Sequence, residues 1–300
     1  MLATLYHNLG VSPATISTSP GATPTARRAL ARTLLWLVGL LVTSAATAAG
    51  FFALNQLLRV PMTKTDGPQL LRIMTWNIGQ IYLQWDSRAA DNDLRHVARV
   101  IRDARPHLVA LQELRDPQQL GRLVAALGPG WRGKIPEDRW DRRAALLVRL
   151  PAEFQGLPTS TGRTAQGAVV TLPSGIEVAV ASLHLDAFDS RRRLVQAQEI
   201  VSGLSRLQDR HMILAGDFNF DPAVAAHGST DQELYRFLTG ELADAGRHSG
   251  STSLISRRLD YVFFRSPAVK DVRALVLHDK RIRVMDHDPV VVELVLRPQP

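Results

Sequence analysis

The sequence predicts an α/β or α+β sandwich, because strand and helix patterns alternate from residue 70 to the end of the chain. The apolar fraction of 45% is that of a globular protein and excludes a wholly disordered chain. Apolar or β-branched runs predict strands at Leu71–Trp76, Leu108–Leu111, Ala144–Val148, Val178–Leu183, Met212–Ala215, Tyr261–Phe264 and Val290–Leu296. Apolar residues at helical spacing predict helices that include Leu94–Ile101, Leu120–Leu127 and Leu194–Leu204.

The first 69 residues differ from the rest of the chain in composition. Residues 1–32 are rich in Ser, Thr, Pro, Gly and Ala and contain three arginines near their end, which predicts a flexible basic tail. Residues 33–58 contain no charged side chain and would extend about 39 Å as a helix, enough to cross a bilayer. Residues 59–69 are predicted to be a linker, and the sandwich then occupies residues 70–300.

Two alternatives stand beside a transmembrane helix for the apolar segment. A cleaved signal peptide would use Leu34–Val42 as its apolar region and Ala46–Ala48 as its cleavage site, and a buried helix is the third interpretation. The transmembrane helix is favoured because the preceding region is long for a signal peptide and apolar residues resume at Phe51. The flanking bases weakly favour a cytoplasmic N-terminus, so we expect a single-pass membrane protein with an extracytoplasmic sandwich.

The net charge of +8 suggests a phosphate-rich partner, either nucleic acid or an anionic membrane. Five bases and one acid precede residue 70, so half of this charge lies beside the apolar segment. The charge that remains in residues 70–300 is therefore a weak indication of nucleic-acid binding. The chain has no cysteine, which excludes disulfides, cysteine-based zinc sites and thiol nucleophiles.

Polar and ionisable residues recur at the ends of the predicted strands. One such residue is expected from solvation alone, but several in one domain predict side chains that converge at one end of a sheet. They are Asn77, Gln112, Glu113, His184, Asp217, Asn219, Asp260, Asp286 and His287.

The chemistry of this set indicates metal-assisted attack of water on a phosphate ester. Its carboxylates and amides offer hard oxygen ligands, which are better suited to binding Mg²⁺ than to forming a tetrahedral zinc site. A Mg²⁺ held by Glu113 would act as a Lewis acid on a phosphoryl oxygen. Asp260 could orient His287 as a general acid–base pair. The chain contains neither a Gly-x-Ser-x-Gly nucleophile motif nor a Gly-Lys-Ser/Thr phosphate loop.

Successive motifs of the chain resemble, in order, those of the endonuclease/exonuclease/phosphatase superfamily, which has the DNase I-like fold. They are MTWNIG (74–79), LQE (111–113), SLHLD (182–186), AGDFNFDP (215–222), RLDYVFF (258–264) and DHDPVVVEL (286–294). The resemblance covers residues 70 to about 297 and makes 70–300 the catalytic domain. It implies a four-layer αββα sandwich of two packed β-sheets flanked by helices, with the site at one end.

The resemblance also implies which residues bind the metal ion. Glu113 would be the principal Mg²⁺ ligand, and Asn77 would lie beside it. Asp286 would be a further carboxylate on the metal side. The metal expected from the family is Mg²⁺, with Mn²⁺ as a substitute, and the reaction expected is the hydrolysis of a phosphoric ester.

The same resemblance implies roles for the catalytic residues. Asp217 would orient or activate the attacking water, and Asn219 would hold a phosphate oxygen. His184 would donate a hydrogen bond to the phosphoryl group and steady the transition state. Asp260 and His287 would form the general acid–base pair. Members of the family differ in which of these groups is the base.

The substrate stays open among nucleic acid, a phospholipid headgroup and a small phosphodiester or monoester. The Ser-x-His-Leu context of His184 resembles the deoxyribonuclease and neutral sphingomyelinase branches, and residues 255–264 lack the inositol polyphosphate 5-phosphatase pattern. Arg139–Arg143 and Arg191–Arg193 could follow a nucleic-acid backbone or be solvated, and Arg193 is expected to pair with a carboxylate near the site. The alternative function is a catalytically silent, membrane-tethered binding or scaffold module, and we expect a monomer.

Overall fold

The computed structural model describes residues 70–79, 87–137, 143–279 and 286–297. The tail, apolar segment and linker predicted for residues 1–69 lie outside the described residues, as do Arg139 and Arg142. Among the helices of the described ranges, none is both long enough and apolar enough to span a membrane.

The described residues form twelve strands and four helices. In chain order they are β1 (Leu70–Asn77), α1 (Ser87–Ala104), β2 (Leu108–Leu114), α2 (Pro117–Leu127), β3 (Arg132–Lys134), β4 (Arg143–Val148), β5 (Ala152–Pro158), β6 (Thr164–Thr171), β7 (Glu177–His184), α3 (Ser190–Leu207), β8 (Met212–Asp217), α4 (Thr230–Glu241), β9 (Ala243–Asp244), β10 (Asp260–Arg265), β11 (Val269–Val276) and β12 (Val290–Leu296).

Each of the two six-stranded sheets is built around a central parallel pair of strands. The first sheet has the order β11-β12-β1-β2-β4-β3, and β1 is parallel to β2. The second has the order β5-β6-β7-β8-β10-β9, and β7 is parallel to β8. The other pairs within the described ranges are antiparallel. A crossover connection joins the two strands of each parallel pair, through α1 in the first sheet and through α3 in the second. Both strands of a pair therefore end at the same edge of their sheet.

The two sheets pack face to face around an apolar core to which both contribute. Leu71 and Ile73 of β1 lie in this core together with Val178 and Val180 of β7 and Ile213 of β8. Side chains alternate between the two faces of a strand, so the intervening residues point to the outer faces. The predicted strands are therefore confirmed, and burial of both faces explains their nearly continuous apolar runs.

A second apolar cluster covers the outer face of the second sheet. Ala181 and Leu214 of this sheet pack there with Ala197 and Leu204 of α3 and with Leu234 of α4. Burial against these helices removes apolar surface from water, which is the main favourable term in folding. The predicted α/β sandwich of two packed sheets flanked by helices is thus confirmed.

Two of the three predicted helices begin next to side chains that accept hydrogen bonds from their first backbone N–H groups. Asp116 precedes α2 and accepts a hydrogen bond from the Gln119 N–H, while Pro117 occupies the first helical position. Asp189 precedes α3 and accepts from the N–H groups of Arg191 and Arg192. The two caps explain locally why α2 begins shortly after β2 and α3 shortly after β7.

A buried ion pair joins β1 to β12. Arg72 and Glu293 are register partners, and the Arg72 Nε and Nη2 atoms donate to Glu293 Oε1 at 3.1 and 2.8 Å. Their side chains are 7% and 5% exposed, so little water could replace either partner. Arg72 also donates to the carbonyl of Arg105, which ties β1 to the end of α1.

We expect Glu293→Ala to lower the free energy of unfolding by about 3–5 kcal/mol, because it leaves a buried guanidinium without its counter-charge. Urea denaturation followed by circular dichroism measures the loss. Glu177→Ala, which removes an exposed carboxylate at the start of β7, is the matched control and should change stability little. The double variant Arg72→Leu with Glu293→Leu should recover most of the loss, and an equal loss in both variants would contradict the ion-pair account.

Candidate active site

The residues predicted to carry the chemistry lie where the two parallel strand pairs end. Asn77 ends β1, and Glu113 lies at the end of β2, beside it in the first sheet. His184 and Asp217 end β7 and β8 and are register partners. Asp260 begins β10 directly opposite Asp217. Parallel pairing therefore brings together Asn77 with Glu113 and His184 with Asp217, and the antiparallel register of β10 adds Asp260 at the same end.

Strand alternation turns these side chains into the space between the sheets. Asn77 and His184 each lie four residues beyond inward-facing core residues, Ile73 and Val180. Because side chains on one face recur at every second residue, both point to the inner side of their sheets. Asp217 lies at the corresponding position of β8 and is 1% exposed. The end of the apolar core is thus lined with polar groups.

Asp217 is the centre of the site. Its Oδ2 atom accepts a hydrogen bond from Asn77 Nδ2 at 2.9 Å and lies 3.6 Å from His184 Nε2 and 3.7 Å from His287 Nε2. Asn77 Nδ2 also donates to Glu113 Oε1 at 3.3 Å, and His184 Nε2 lies 4.0 Å from the same oxygen. One carboxylate therefore connects residues from both sheets.

Asn77 is oriented by its own turn. Its Oδ1 atom accepts a hydrogen bond from the Gly79 N–H at 2.8 Å, so its Nδ2 group faces the carboxylates of Asp217 and Glu113. In this orientation Asn77 is a hydrogen-bond donor to both acids. Its predicted place beside Glu113 is where the structure puts it, and its role toward a metal ion stays a prediction.

Asp260 and His287 form a buried pair. His287 Nδ1 and Asp260 Oδ2 are 2.7 Å apart, which leaves the His287 Nε2 atom facing Asp217. The Thr252 hydroxyl donates to the same Asp260 oxygen at 2.7 Å and accepts from the Asp260 N–H at 3.1 Å. Trp76 Nε1 donates to the His287 carbonyl at 3.2 Å and fixes the backbone of the histidine.

The charges around His287 favour its protonated form. Burial lowers the pKa of His287, but the negative charges of Asp260 and Asp217, the hydrogen bond to Asp260 and the charge of Asp286 together raise it to about 10. Asp286 is partly exposed and adjoins His287 in the chain. Its influence on the site in this structure is therefore electrostatic, and its role as a metal-side carboxylate stays a prediction.

Glu113 reaches the site through an unusual backbone conformation. Its φ angle is +62°, in the left-handed region that residues with a Cβ adopt at a cost, and the register of β2 against β4 shifts between Leu111 and Leu114. A side chain at Gly79 would collide with the Glu113 carboxylate, since an added Cβ would lie 2.8 Å from Glu113 Cδ. The bulge turns the glutamate toward the site, and the glycine leaves room for its carboxylate.

Asn219 lies between two buried aromatic residues in the sequence. Phe220 stacks on Tyr261, and Phe218 meets the same ring edge-on, on the outer face of the second sheet. The Asn219 N–H donates to Asp217 Oδ1 at 2.9 Å, and its Nδ2 atom donates to the Leu185 carbonyl at 3.1 Å. Asn219 also has a left-handed φ of +53°. In this motif the aromatic side chains therefore anchor the backbone in the apolar cluster, and the polar side chains between them face the site.

Arg193 has the structural role that the sequence suggested. It is buried, donates to both oxygens of Asp231 and also bonds the Asp186 carbonyl. Arg191 and Arg192 are exposed. The pair between Arg193 and Asp231 joins the loop after β7 to the start of α4.

Thr252 and Gly79 are site residues that sequence reasoning missed. Thr252 lies in an irregular loop eight residues before Asp260, and a lone threonine there has no pattern that distinguishes it. Gly79 ends the MTWNIG motif, so its position offered a signal, but the reason for a glycine becomes clear when the Glu113 carboxylate is placed beside it.

The donor set fits a divalent cation with hard oxygen ligands. Asp217, Asp260 and His287 are buried and each offers a ligand atom within 4.8 Å of the others. Within the described residues, the Asp260 Oδ1 atom is a buried oxygen without a hydrogen-bond partner. Glu113 adds a carboxylate on the side of the first sheet. Several carboxylates this close repel one another, and a cation would relieve that repulsion.

Comparison with known proteins agrees with this fold. The model of the Endonuclease/Exonuclease/phosphatase family matches residues 74–283. A search of curated protein sequences found no significant match.

Solved structures with the same fold come from several organisms. A truncated TDP2 from Caenorhabditis elegans is 17% identical with a TM-score of 0.60, covering 75% of this chain and 97% of that chain. A mannosyl-6-phosphatase from Bacteroides thetaiotaomicron is 23% identical with a TM-score of 0.59, covering 75% of this chain and 100% of that chain. An endonuclease/exonuclease/phosphatase from Beutenbergia cavernae is 22% identical with a TM-score of 0.60, covering 76% and 72%. At these identities the similarity is one of fold.

Gly79→Ala should weaken binding of a divalent cation by about 10–100-fold, because the new methyl group displaces the Glu113 carboxylate. Calorimetric titration with Mg²⁺ or Mn²⁺ measures this affinity. Gly121→Ala is the matched control, since a Cβ there meets no atom within 4 Å and the residue lies inside α2. Equal affinities in the wild type and the Gly79 variant would show that Glu113 does not hold the cation.

Proposed function

Because the chain belongs to the endonuclease/exonuclease/phosphatase family, we propose that it is a Mg²⁺-dependent hydrolase of phosphate esters. Water is the proposed nucleophile, and either a phosphodiester or a phosphate monoester is the substrate class. Mn²⁺ is the proposed substitute for Mg²⁺. The alternative, a catalytically silent binding or scaffold module, keeps the same fold and would lack turnover.

One observation carries the proposal: an asparagine, two histidines and a second carboxylate surround a buried aspartate. Asn77, His184 and His287 approach Asp217 from both sheets at 2.9–3.7 Å, and Glu113 adjoins Asn77 and His184. Burying this many ionisable groups together is unfavourable without a compensating role. Clusters of perturbed ionisable groups are typical of catalytic sites.

The proposed proton transfers use atoms that face each other. Asp217 accepts a hydrogen bond from the attacking water through its carboxylate and so orients the water toward phosphorus. His287 holds or releases a proton at Nε2, since its Nδ1 atom is bonded to Asp260. Thr252 keeps the Asp260 carboxylate in place, so the imidazole is fixed in one orientation. The pair thus serves as the general acid–base group of the site.

Two further side chains are suited to bind the phosphoryl group. His184 directs Nε2 toward the carboxylates and can donate that N–H to a phosphoryl oxygen placed between them. Asn219 uses one Nδ2 proton on the Leu185 carbonyl and has a second for a phosphate oxygen. Both donors would stabilise negative charge that develops during the attack.

A bound Mg²⁺ would supply Lewis-acid polarisation of the phosphoryl oxygen. Glu113 is the proposed principal ligand, with Asn77 beside it and Asp286 on the metal side. The oxygen-rich donor set is the support for Mg²⁺ over zinc.

We further propose that residues 33–58 anchor the chain in a membrane and that the catalytic domain lies outside the cytoplasm as a monomer. The support is the uncharged stretch with arginines before it. Labelling of an introduced cysteine at residue 177 by a membrane-impermeant reagent in intact cells tests the orientation, and labelling that requires cell lysis would contradict it.

His287→Gln and Glu113→Gln should each lower Mg²⁺-dependent turnover by about 10²–10⁴-fold, since one removes the acid–base group and the other a metal ligand. The assay uses bis-p-nitrophenyl phosphate and a panel of duplex DNA, RNA, sphingomyelin, phosphoinositides and nucleotide monoesters. The Glu113 variant should recover at higher Mg²⁺ and the His287 variant should not.

His278→Gln is the control for the histidine substitution, because His278 is 68% exposed and its Nδ1 atom pairs with Asp288, to which no catalytic role is assigned. This variant should keep wild-type turnover. A wild-type chain that hydrolyses no ester of the panel with Mg²⁺ or Mn²⁺ would favour the scaffold function. A steep loss of DNA cleavage with added salt would identify a nucleic-acid substrate.

A further inference from the structure

Large exposed apolar side chains are concentrated at the catalytic end of the sandwich. Four of the six in the described residues are Phe188, Val224, Leu254 and Ile255, which are 95%, 57%, 55% and 67% exposed. They lie on three loops, which we call the mouth loops: 185–189 after β7, 218–229 after β8 and 245–259 before β10. Because β7, β8 and β10 are neighbours in the second sheet, the mouth loops lie side by side at the edge where His184, Asp217 and Asp260 lie.

Partly buried hydrogen bonds hold the mouth loops to one another and to neighbouring segments. Arg193 connects the Asp186 carbonyl of the first loop to Asp231, which follows the second. The Asp221 carboxylate of the second loop accepts from the Arg258 N–H of the third at 3.0 Å. The Leu254 N–H of the third loop donates to the Asp286 carbonyl at 2.8 Å. These hydrogen bonds hold the mouth loops in place, so the exposed apolar side chains project from a rigid surface.

The tip of the third loop shows how this presentation is built. Ser256 has a left-handed φ of +58°, and its N–H donates to the Ser253 carbonyl. This tight turn places Leu254 and Ile255 at its outer side, where both are more than half exposed. A non-glycine residue in this conformation is strained, and the turn keeps two aliphatic side chains in water instead of folding them inward.

Arginines accompany the apolar tips. Arg191 and Arg192 follow Phe188 within four residues, and Arg257 follows Ile255 within two, and all three are exposed. The acids of the same loops are engaged locally. Asp189 caps α3 and, with Asp186, pairs with Arg192 at 3.6 and 4.0 Å, while Asp221 binds the Ala223 and Arg258 N–H groups. Arg191 and Arg257 are therefore the arginines best placed to meet an outside anion.

We propose that the mouth loops dock on an anionic lipid bilayer, with Phe188, Leu254 and Ile255 entering the interface and the arginines contacting lipid phosphates. Aromatic and aliphatic side chains flanked by arginine suit the boundary between headgroups and acyl chains. Duplex nucleic acid fits less well, because its outer surface is phosphate and sugar, against which the aliphatic side chains of Leu254 and Ile255 would bury little apolar area. This docking goes beyond the proposed hydrolysis and does not depend on it.

The absence of cysteine allows a direct test on the full chain. Phe188→Cys and Ile255→Cys are each labelled with an environment-sensitive fluorophore and mixed with vesicles of phosphatidylglycerol and phosphatidylcholine. We expect a blue shift and quenching by lipids that carry a quencher in the acyl region. The shift should be smaller with pure phosphatidylcholine, since the arginines then lose their anionic partner.

Glu177→Cys is the matched control, because Glu177 is exposed at the start of β7, the opposite end of the strand that leads to Phe188. A label there should not respond, even if residues 33–58 bind the vesicles. Unchanged emission at residues 188 and 255, an equal response at 177, or a response to duplex DNA in place of vesicles would overturn the docking. Hydrolysis is not part of the readout, so failure of the docking and failure of the enzymatic function are distinguishable.

Discussion

Parallel pairing of β1 with β2 and of β7 with β8 is the constraint on which the site depends. A parallel pair ends at a single edge, so each pair places two strand-end side chains together. Packing the two sheets face to face then brings the pairs to the same end, where Asn77 of one sheet bonds Asp217 of the other. Gly216 allows the second pair to approach closely, since a Cβ there would overlap the Leu183 carbonyl. The position of the chemistry thus follows from the pairing of four strands.

Hydrogen bonds within the site do not remove all of its charge repulsion and backbone strain, so the surrounding structure also has to hold it together. Neighbouring carboxylates repel, and left-handed backbone at Glu113 and Asn219 adds strain. Burial of apolar surface offsets this repulsion and strain. The main contributions come from the core between the two sheets and from the aromatic rings around Tyr261. An active site of this kind gains rigidity, because residues such as Thr252 keep the acidic groups in fixed positions before a substrate or cation arrives.

The central strands and the convergence of the site could be predicted because burial imposes a pattern on sequence. Strands buried on both faces require apolar runs, and motif residues at their ends must then converge. Strand β11 was not predicted, because polar residues interrupt the pattern at its exposed edge position, and the largely buried β6 was not predicted, because Gln166 and Gly167 interrupt its apolar run. Helix α4 was not predicted, because it buries little besides Leu234 and Leu238. The direction of Glu113 depends on a bulge, and the role of Thr252 depends on a long-range contact, so neither has a local signal.

The central claim is that the strand ends form one cation site shared by both sheets. Anomalous diffraction from crystals of the protein grown with Mn²⁺ tests this claim most directly. The account predicts one strong peak bonded to the Glu113 carboxylate of the first sheet and next to Asp217 of the second. A peak located elsewhere in the molecule, or no peak at saturating Mn²⁺, would contradict it.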